Sequence, residues 1–407
     1  MTPPLAFTNA RLVMPDGVRR GGLLVRDEMI EAIGTFDMPG GVPVIDLGGA
    51  LLAPAIVDLG VFAVDMAACH AGGIVRIGLM PDQSPVLDDP GIVQRAALIG
   101  RPGLWIHPIA AATRGLAGAD LAEMAICREA GARAVATGRG WIGDAAVMRK
   151  VLGYARDLDI AVIAHAEDGG LAAGAVATEG ETATRLGLAA APGLAEALAI
   201  ARDLMLAEET GARLHLRQVT TARGFDLVRA AKRRGVAVTC GITPAHLLLS
   251  EIAMTDFRTF AHLSPPLRGE EDRQAALAAL RDGTIDVLGS GHDPRGPEEK
   301  RLPFADSAPG MAGAETLLAL GLGLVRDDYL TIERLFALLA TQPARILGVD
   351  AGVIAIGAPA DLVVIDADAP WQIVADTMIG IAGNTPFDGL PVQGKVTQLF
   401  KGGTRLR

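Results

Sequence analysis

The chain has 407 residues, a formal net charge of -10 and a composition that is half hydrophobic but poor in aromatic residues. This composition is typical of a compact α/β protein, and the acidic balance, with no block of Lys and Arg, argues against a nucleic-acid partner. Gly, Pro or a charged residue interrupts every apolar run before the roughly 18 residues that a membrane-spanning helix needs. The three cysteines, Cys69, Cys127 and Cys240, lack the CxxC spacing of a zinc knuckle and do not form a disulfide framework.

The first 52 residues predict short strands. The start, Met1–Pro4, has no basic and apolar leader, so we expect a cytoplasmic protein. Strand-like pieces follow, separated by Gly and Pro turns. These pieces are Leu12–Met14, Gly22–Arg26 and Val44–Leu47.

Eight short apolar runs, each followed by a turn signal and a longer helical pattern, occupy residues 53 to about 345. The runs are Ala53–Phe62, Gly73–Met80, Gly103–Ala110, Ala132–Thr137, Asp159–His165, Ala212–Val219, Gly235–Gly241 and Thr284–Ser290, and the helical patterns include Asp144–Leu158, Gly193–Thr210 and Glu271–Arg281. Near-continuous apolar runs indicate parallel strands buried on both faces, and eight such units indicate a (β/α)8 barrel. An open doubly wound sheet is the alternative, but its GxGxxG segment is missing after the first strand. We therefore predict an α/β fold with a TIM-like barrel.

The last residues again predict strands. The pieces are Val353–Ile356, Asp361–Ile365 and Lys395–Phe400. Neither end of the chain is long enough for a stable sheet alone, so we predict that both ends pair into one small composite β-sandwich domain. The predicted domains are residues 1–52 and 346–407 for the two halves of this β-domain, and residues 53–345 for the barrel.

The C-terminal ends of the barrel strands carry few candidate metal ligands. Catalytic groups of barrel enzymes project from this end, where the eight βα-loops converge. A hydrolytic zinc centre needs several His and carboxylate ligands to hold the ion and to lower the pKa of a bound water to about 7. The candidates here are Asp58, His165 and His292, which make a poor zinc site.

Five segments give the chain a resemblance to a known family. They are Leu79–Pro85 (the family's MPNTxP), Glu179–Asp203, Ser264–Arg268 (NPPLR), His292–Thr316 (TDHAPH to GLET) and Asn384–Gly389 (NTPFxG). In this order and spacing they resemble type I dihydroorotase, within the cyclic amidohydrolases that include allantoinase and hydantoinase. The resemblance runs nearly end to end. It implies an amidohydrolase-type barrel with a small composite β-domain.

The resemblance also implies a zinc-dependent site, and most of its residues are replaced in this chain. The two metal-binding His of the first strand fall on Gly60 and Phe62, and the Arg that contacts the substrate carboxylate falls on Val64. The other replacements are the bridging acidic residue at Gly138 (or Arg139 in a register shifted by one), a metal-binding His at Gln218 and the catalytic Asp at Gly291. Metal affinity should collapse without these ligands, and a glycine cannot act as a general base. We expect no catalytic residues and no dihydroorotase activity.

Several polar residues persist at positions that match the family's site, and we interpret them as a vestigial site. His165 matches the metal-binding His after the fifth strand, and it is the one residue that we would assign to a metal if any is bound. Asp82 takes the place of an Asn that contacts substrate, which reverses the polarity needed near an anionic substrate. The vestigial residues are Asp58, Asp82, His165, His292 and Asp293. We expect no cofactor, although the family uses zinc.

Three functions remain open. The dihydroorotase family contains non-catalytic homologues that assemble with aspartate carbamoyltransferase, so the resemblance implies a structural subunit of a pyrimidine-biosynthesis complex, in a homo- or hetero-oligomer. The first alternative is an active cyclic amidohydrolase with a metal site rebuilt from His165, His292 and Asp293. The second is a small-molecule binder that reuses the barrel mouth, with Phe62 and Val64 lining the pocket.

Overall fold

The computed structural model describes residues 3–36 and 40–407. Met1 and Thr2, which belong to the predicted leaderless start, lie outside the described residues. The strands are β1 Leu5–Met14, β2 Gly17–Arg26, β3 Met29–Gly34, β4 Val44–Asp46, β5 Leu51–Pro54, β6 Ile56–Val61, β7 Ile74–Leu79, β8 Trp105–Ala111, β9 Ala134–Ala136, β10 Ala161–Ala164, β11 Ala177–Thr178, β12 Ala190–Ala191, β13 Leu214–Leu216, β14 Val238–Ile242, β15 Val287–Leu288, β16 Leu362–Gln372, β17 Pro391–Lys401 and β18 Thr404–Arg405.

The helices lie mainly between the strands of the central part of the chain. They are α1 Met66–Ala71, α2 Pro90–Ala96, α3 Met124–Glu129, α4 Ala145–Asp157, α5 Glu181–Leu186, α6 Leu194–Thr210, α7 Ala222–Arg233, α8 Pro244–Leu248, α9 Glu270–Arg281, α10 Pro297–Lys300, α11 Leu317–Arg326, α12 Ile332–Phe336 and α13 Gln342–Leu347. Short 3-10 turns cover Arg114–Leu116, Glu251–Met254, Thr259–Ala261, Phe304–Asp306 and Ala375–Thr377, and Ala337–Thr341 forms a π-helical turn. The three helices predicted from sequence, now α4, α6 and α9, are confirmed.

Eight parallel strands form the barrel. They hydrogen-bond in the order β6, β7, β8, β9, β10, β13, β14, β15, and every neighbouring pair is parallel. The sheet is nearly closed, since β6 and β15 share no ladder. Backbone and side-chain contacts bridge this seam: the amide of Phe62 donates to the carbonyl of His292 at 2.9 Å. The predicted (β/α)8 fold class is confirmed.

Helix α4 illustrates why the helical segments form and pack where they do. The Asp144 side chain caps it by accepting from the amides of Ala146 and Val147, which satisfies donors that have no partner inside the helix. Its buried residues, Met148, Val151, Leu152 and Ala155, recur at spacings of three and four. That spacing places one apolar face against the barrel.

Strands from both ends of the chain form a second sheet, in the order β18, β17, β16, β5, β1, β2, β3, with β4 paired to β1. Phe7 of β1 and Phe400 of β17 meet edge to face, with ring centroids 4.9 Å apart. This composite β-structure was expected as part of the fold class. A buried ion pair of 2.7 Å between Arg76 of β7 and Asp361 fixes the sheet to the barrel. The domain boundaries stay predictions.

Two strand predictions are wrong. The run Ala53–Phe62 contains parts of two strands, because β5 pairs with β1 and β16 whereas β6 starts the barrel. Burial does not change at this boundary, so the apolar run did not reveal it. The piece Val353–Ile356 forms no strand: Ile354 is buried, but Ile356 is 71% exposed and enters a turn at Gly357.

Within the described ranges, no helix has both the length and the apolar character required to cross a bilayer. The longest, α6, buries charged residues, Glu196 and Asp203, in the protein interior. The largest cluster of buried apolar residues packs between the strands and helices of the barrel.

Candidate functional site

The end of the first barrel strand carries no metal-binding side chain beyond Asp58. Asp58 is buried and accepts hydrogen bonds from the amide of Ser290, at 3.0 Å, and from its hydroxyl. Burial raises the pKa of the Asp58 carboxyl to about 6, although the bonds from Ser290 act in the opposite direction. Because Ser290 follows β15, this carboxylate bridges the barrel seam.

Gly60 and Phe62 form an apolar wall that faces two arginines. Gly60 has a φ of +87°, and a Cβ at this position would lie 3.5 Å from Cδ of Arg217. Cζ of Arg139 lies 3.9 Å from the centroid of the Phe62 ring, and Cζ of Arg217 lies 5.1 Å from it. Both distances fall within the range of cation–π attraction. Two cations therefore lie beside Gly60 and Phe62, the positions that the sequence analysis matched to the family's imidazole ligands.

Arg217 follows β13 and reaches towards the barrel axis. One Nη donates to Oε1 of Gln218 at 3.0 Å, and the other donates to Nδ1 of His165 at 3.1 Å. Its Nε is buried and has no hydrogen-bond partner. Burial, together with the charge of Arg139, lowers the pKa of Arg217 to about 10. The group remains a cation at neutral pH.

Arg139 and Asp293 form a second charged unit at the mouth. Asp293 accepts from both Nη atoms of Arg139 in a bidentate pair and also from Arg295 at 3.1 Å. Oδ1 of Asp82 accepts the backbone amide of Arg139 at 2.9 Å, whereas Oδ2 of Asp82 is buried without a partner. Gly138 has a φ of +79°, and a Cβ there would lie 2.9 Å from Oδ1 of Asp82.

His165 belongs to a network of contacts with Arg217 and Glu167. Its Nδ1 accepts from Arg217, which leaves the Nε2 hydrogen to face Oε2 of Glu167 at 3.7 Å. Glu167 also accepts from Arg268 at 3.0 Å. Burial opposes ionisation of Glu167, but the contact with His165 and the charge of Arg268 outweigh it and lower its pKa to about 2.

His292 lies inside the protein behind the mouth. Its Nδ1 accepts the amide of Ala314 at 3.3 Å, and its Nε2 lies 3.7 Å from Oδ2 of Asp65. Burial lowers the pKa of His292 to about 4, so the ring is neutral near pH 7. Asp65 caps α1 and also accepts from the amide of Ile381. Gly291, which the sequence analysis matched to the family's catalytic Asp, has a φ of +60°, and a Cβ there would lie 2.8 Å from Cγ2 of Thr243.

A small cavity of about 130 Å³ remains at the mouth. Its lining comprises Phe62, Arg139, Arg217, Gln218, His246, Leu263, Ser264, Gly291, Asp293, Pro309, Gly310 and Met311. Of the two residues expected to line a pocket, Phe62 lines this cavity. Val64 instead packs against the main hydrophobic core. Burial lowers the pKa of His246 to about 4, so its ring is neutral near pH 7. The two ring nitrogens contact the hydroxyl of Thr243 and the carbonyl of Pro265.

The residues at this mouth do not fit a zinc ion. Across residues 3–36 and 40–407, no group of three His, Cys, Asp or Glu side chains is placed to hold a metal. The vestigial residues are separated by their partners: His165 binds Arg217, Asp293 binds Arg139, and Asp58 binds Ser290. The guanidinium of Arg217 also contacts His165, and it would repel a divalent cation placed beside that ring.

The sequence analysis did not identify Arg217, the central residue of the mouth. It named Arg139 only as the alternative to Gly138 in a register shifted by one residue. A signal for Arg217 exists in the sequence, because a basic residue directly follows the buried strand β13 at the active end of the barrel. The sequence analysis considered metal ligands and general bases, and an arginine side chain is neither, so Arg217 was not identified. Asp293, the carboxylate among the residues that line the cavity, is engaged by two arginines.

Comparisons with known proteins agree with this fold. The amidohydrolase family model matches residues 119–406. A dihydroorotase from Desulforapulum autotrophicum is 36% identical and covers 96% of each chain, and one from Pelobacter propionicus is 38% identical over 91% of each. The solved L-hydantoinase (dihydropyrimidinase) of Arthrobacter aurescens has a TM-score of 0.89 at 24% identity, covering 100% of this chain and 96% of that one. The dihydropyrimidinase of Brevibacillus agri has a TM-score of 0.85 at 21% identity, covering 99% and 95%.

Proposed function

This chain belongs to the amidohydrolase family, with dihydroorotases among its near full-length relatives, and we propose that it is a non-catalytic dihydroorotase homologue. In this proposal it is a cytoplasmic protein of pyrimidine biosynthesis that acts as a structural subunit beside aspartate carbamoyltransferase. The lack of hydrolysis and the partner are two separate parts of the proposal. Each needs its own test.

The observation that carries the first part is the position of Arg217. Its side chain lies over Gly60 and against Phe62, where the family has metal-binding His, and it donates to His165, the one such His that persists. A metal ligand must offer a free lone pair to the ion. The Nδ1 lone pair of His165 already accepts from a permanent cation, so the ligand most expected to survive is committed elsewhere.

An active cyclic amidohydrolase with a rebuilt site is less well supported. That alternative requires His165, His292 and Asp293 to converge on one ion. His292 instead accepts from the backbone of Ala314 and faces Asp65, and Asp293 makes a bidentate pair with Arg139. Rebuilding a site from these three groups would require breaking a contact at each one.

Metal analysis tests the absence of catalysis. Purified protein, incubated with an excess of zinc and then desalted, should retain well below one ion per chain. Hydrolysis of dihydroorotate should stay at background and should be unchanged in His165→Ala. One tightly bound zinc per chain, together with hydrolysis that His165→Ala and a chelator abolish, would establish the rebuilt enzyme instead. Hydrolysis that survives both treatments would come from a contaminant.

The partner is tested with the aspartate carbamoyltransferase of the same organism. We expect the two chains to co-purify, and we expect the carbamoyltransferase to lose activity or stability when this chain is omitted. Light scattering of the mixture should give a mass above that of either protein alone. A carbamoyltransferase that is stable and fully active by itself, with no complex at micromolar concentrations, would refute this role. That result would leave the metal measurements standing.

A further inference from the structure

The positive charge of Arg217 has no carboxylate partner. Within residues 3–36 and 40–407, none of its guanidinium nitrogens comes within the 4.0 Å of a carboxylate oxygen that defines an ion pair. The other arginines near the mouth are paired: Arg139 and Arg295 with Asp293, and Arg268 with Glu167. A cation held away from bulk water without a counter-ion is costly. Arg217 is therefore the exception in this region.

The hydrogen-bonding capacity of Arg217 is also incompletely used. A guanidinium has five N–H donors, and the two acceptors described for it, Oε1 of Gln218 and Nδ1 of His165, are both neutral. Its Nε lies buried with no acceptor at all. Asp82, Asp293 and Glu167 act on this charge from beyond ion-pair distance. The geometry thus combines a cation that no described carboxylate contacts with spare donors, and an anion in the cavity would satisfy both.

The space beside Arg217 suits a small ligand. The cavity holds about 130 Å³, the volume of roughly four water molecules in the liquid. Its charged lining residues are Arg139, Arg217 and Asp293, and the pairing of Arg139 with Asp293 leaves one positive charge. Phe62, Leu263 and Met311 supply apolar surface next to it.

We propose that the barrel mouth binds a small monocarboxylate of about two to four carbon atoms, with its carboxylate on Arg217 and its alkyl group against Phe62 and Met311. A guanidinium fork matches the planar carboxylate, and one negative charge would pair with the lining cation that no described carboxylate contacts. A dianion such as phosphate would bring its second charge towards Asp293. This site is independent of the carbamoyltransferase partner, so either proposal can fail without the other.

The decisive variant is Gln218→Glu. It places a carboxylate at the position of an oxygen that already lies 3.0 Å from Arg217, so the protein supplies its own counter-ion with almost no change in shape. Arg217→Met removes the cation itself. The matched control is Gln393→Glu, the same substitution at an exposed site on β17. If Arg217→Met fails to fold, Gln218→Glu and its control still decide the question.

The probe is sodium acetate, measured on the full chain by thermal unfolding and by the line width of [¹³C]acetate, with sodium chloride at equal ionic strength as the reference. We expect a dissociation constant of about 1–10 mM for the wild type and for Gln393→Glu. Gln218→Glu and Arg217→Met should weaken acetate binding at least tenfold. Gln218→Glu should also unfold at the temperature of the acetate-saturated wild type or above it.

Three outcomes would overturn the proposal. Equal effects of chloride and acetate would mean general screening of charge. Tighter binding of phosphate than of acetate would exclude a monocarboxylate site. Acetate binding that persists in Gln218→Glu would place the ligand away from Arg217.

Discussion

Replacing Arg217 with methionine should stabilise the protein when no carboxylate ligand has been added. The folded chain lowers the pKa of Arg217 to about 10, chiefly through burial. At roughly 1.4 kcal/mol for each pKa unit, the charge costs the folded state about 3 kcal/mol. Methionine has a similar length and keeps the apolar contact with Phe62 and Gly60. It carries no charge, so this cost disappears.

Two lost hydrogen bonds act in the opposite direction. Oε1 of Gln218 and Nδ1 of His165 both lose their donor, at about 1 kcal/mol each. Water in the adjoining cavity limits this loss, since Gln218 lines the cavity. The expected net effect is a gain of about 1 kcal/mol in the free energy of unfolding, which follows the general tendency of apolar residues to replace buried charges favourably.

Urea denaturation at pH 7.5, followed by circular dichroism, measures this change. Arg268→Met is the matched comparison, because Arg268 is buried against two carboxylates, Glu167 at 3.0 Å and Glu196 at 3.5 Å. Removing that partner leaves buried negative charge and should cost about 3–5 kcal/mol. The same substitution should thus have opposite signs at two neighbouring arginines. A loss of 2 kcal/mol or more in Arg217→Met would refute the reasoning.

Three further predictions concern the charges of the mouth. The pKa of Asp58 is raised to about 6, mainly by burial, so wild-type stability should fall by about 3 kcal/mol as the pH rises from about 4 to about 6. Asp58→Asn should remove this decline, and an unchanged pH profile of denaturation would contradict the assignment. The pKa of Glu167 is shifted in the opposite direction, down to about 2. The stability that Glu167 contributes is therefore present above about pH 4.3 and is lost as the pH falls towards 2. Glu167→Gln should be less stable at pH 7 and should flatten the acid limb, as measured by unfolding at pH 3 and 7. Restoring ligands with Gly60→His and Phe62→His should leave zinc content below one ion per chain while Arg217 is present, and full occupancy by elemental analysis would argue against the guanidinium as the obstacle.

The barrel was predictable because parallel strands covered on both faces are largely apolar, and the one charged residue of β7, Arg76, is paired with Asp361. All six residues of β7, Ile74–Leu79, are buried, and the apolar run Gly73–Met80 located this strand almost to the residue. The same property hides boundaries. Where the terminal sheet passes into the barrel, Leu51–Pro54 and Ile56–Val61 are both fully buried, so no change of pattern marks the change of sheet.

The sequence alone shows which strand-end positions lack donor side chains, but it does not show which side chains approach those positions. Gly60, Gly138 and Gly291 could be recognised as lacking donors. Their left-handed backbone angles, and the side chains that approach them, are properties of the folded chain alone. The contact of Arg217 with His165 joins residues 52 positions apart, and periodicity along one strand carries no information about such a pair.

If this barrel mouth holds no metal ion, as proposed above, the arginines explain how its acids are accommodated in the folded chain. A metal centre neutralises the carboxylates that surround it, and losing the ion leaves those acids as unpaired charge in a poorly hydrated mouth. Here the guanidinium of Arg139 pairs with Asp293 and its backbone amide donates to Asp82, so protein donors engage both acids. Arg217 is then the guanidinium of this group that no described carboxylate contacts, although its charge and that of Arg139 together equal the charges of Asp82 and Asp293. A mouth optimised for stability alone would have no reason to keep Arg217 out of contact with these acids, whereas a mouth that receives an anion on Arg217 would.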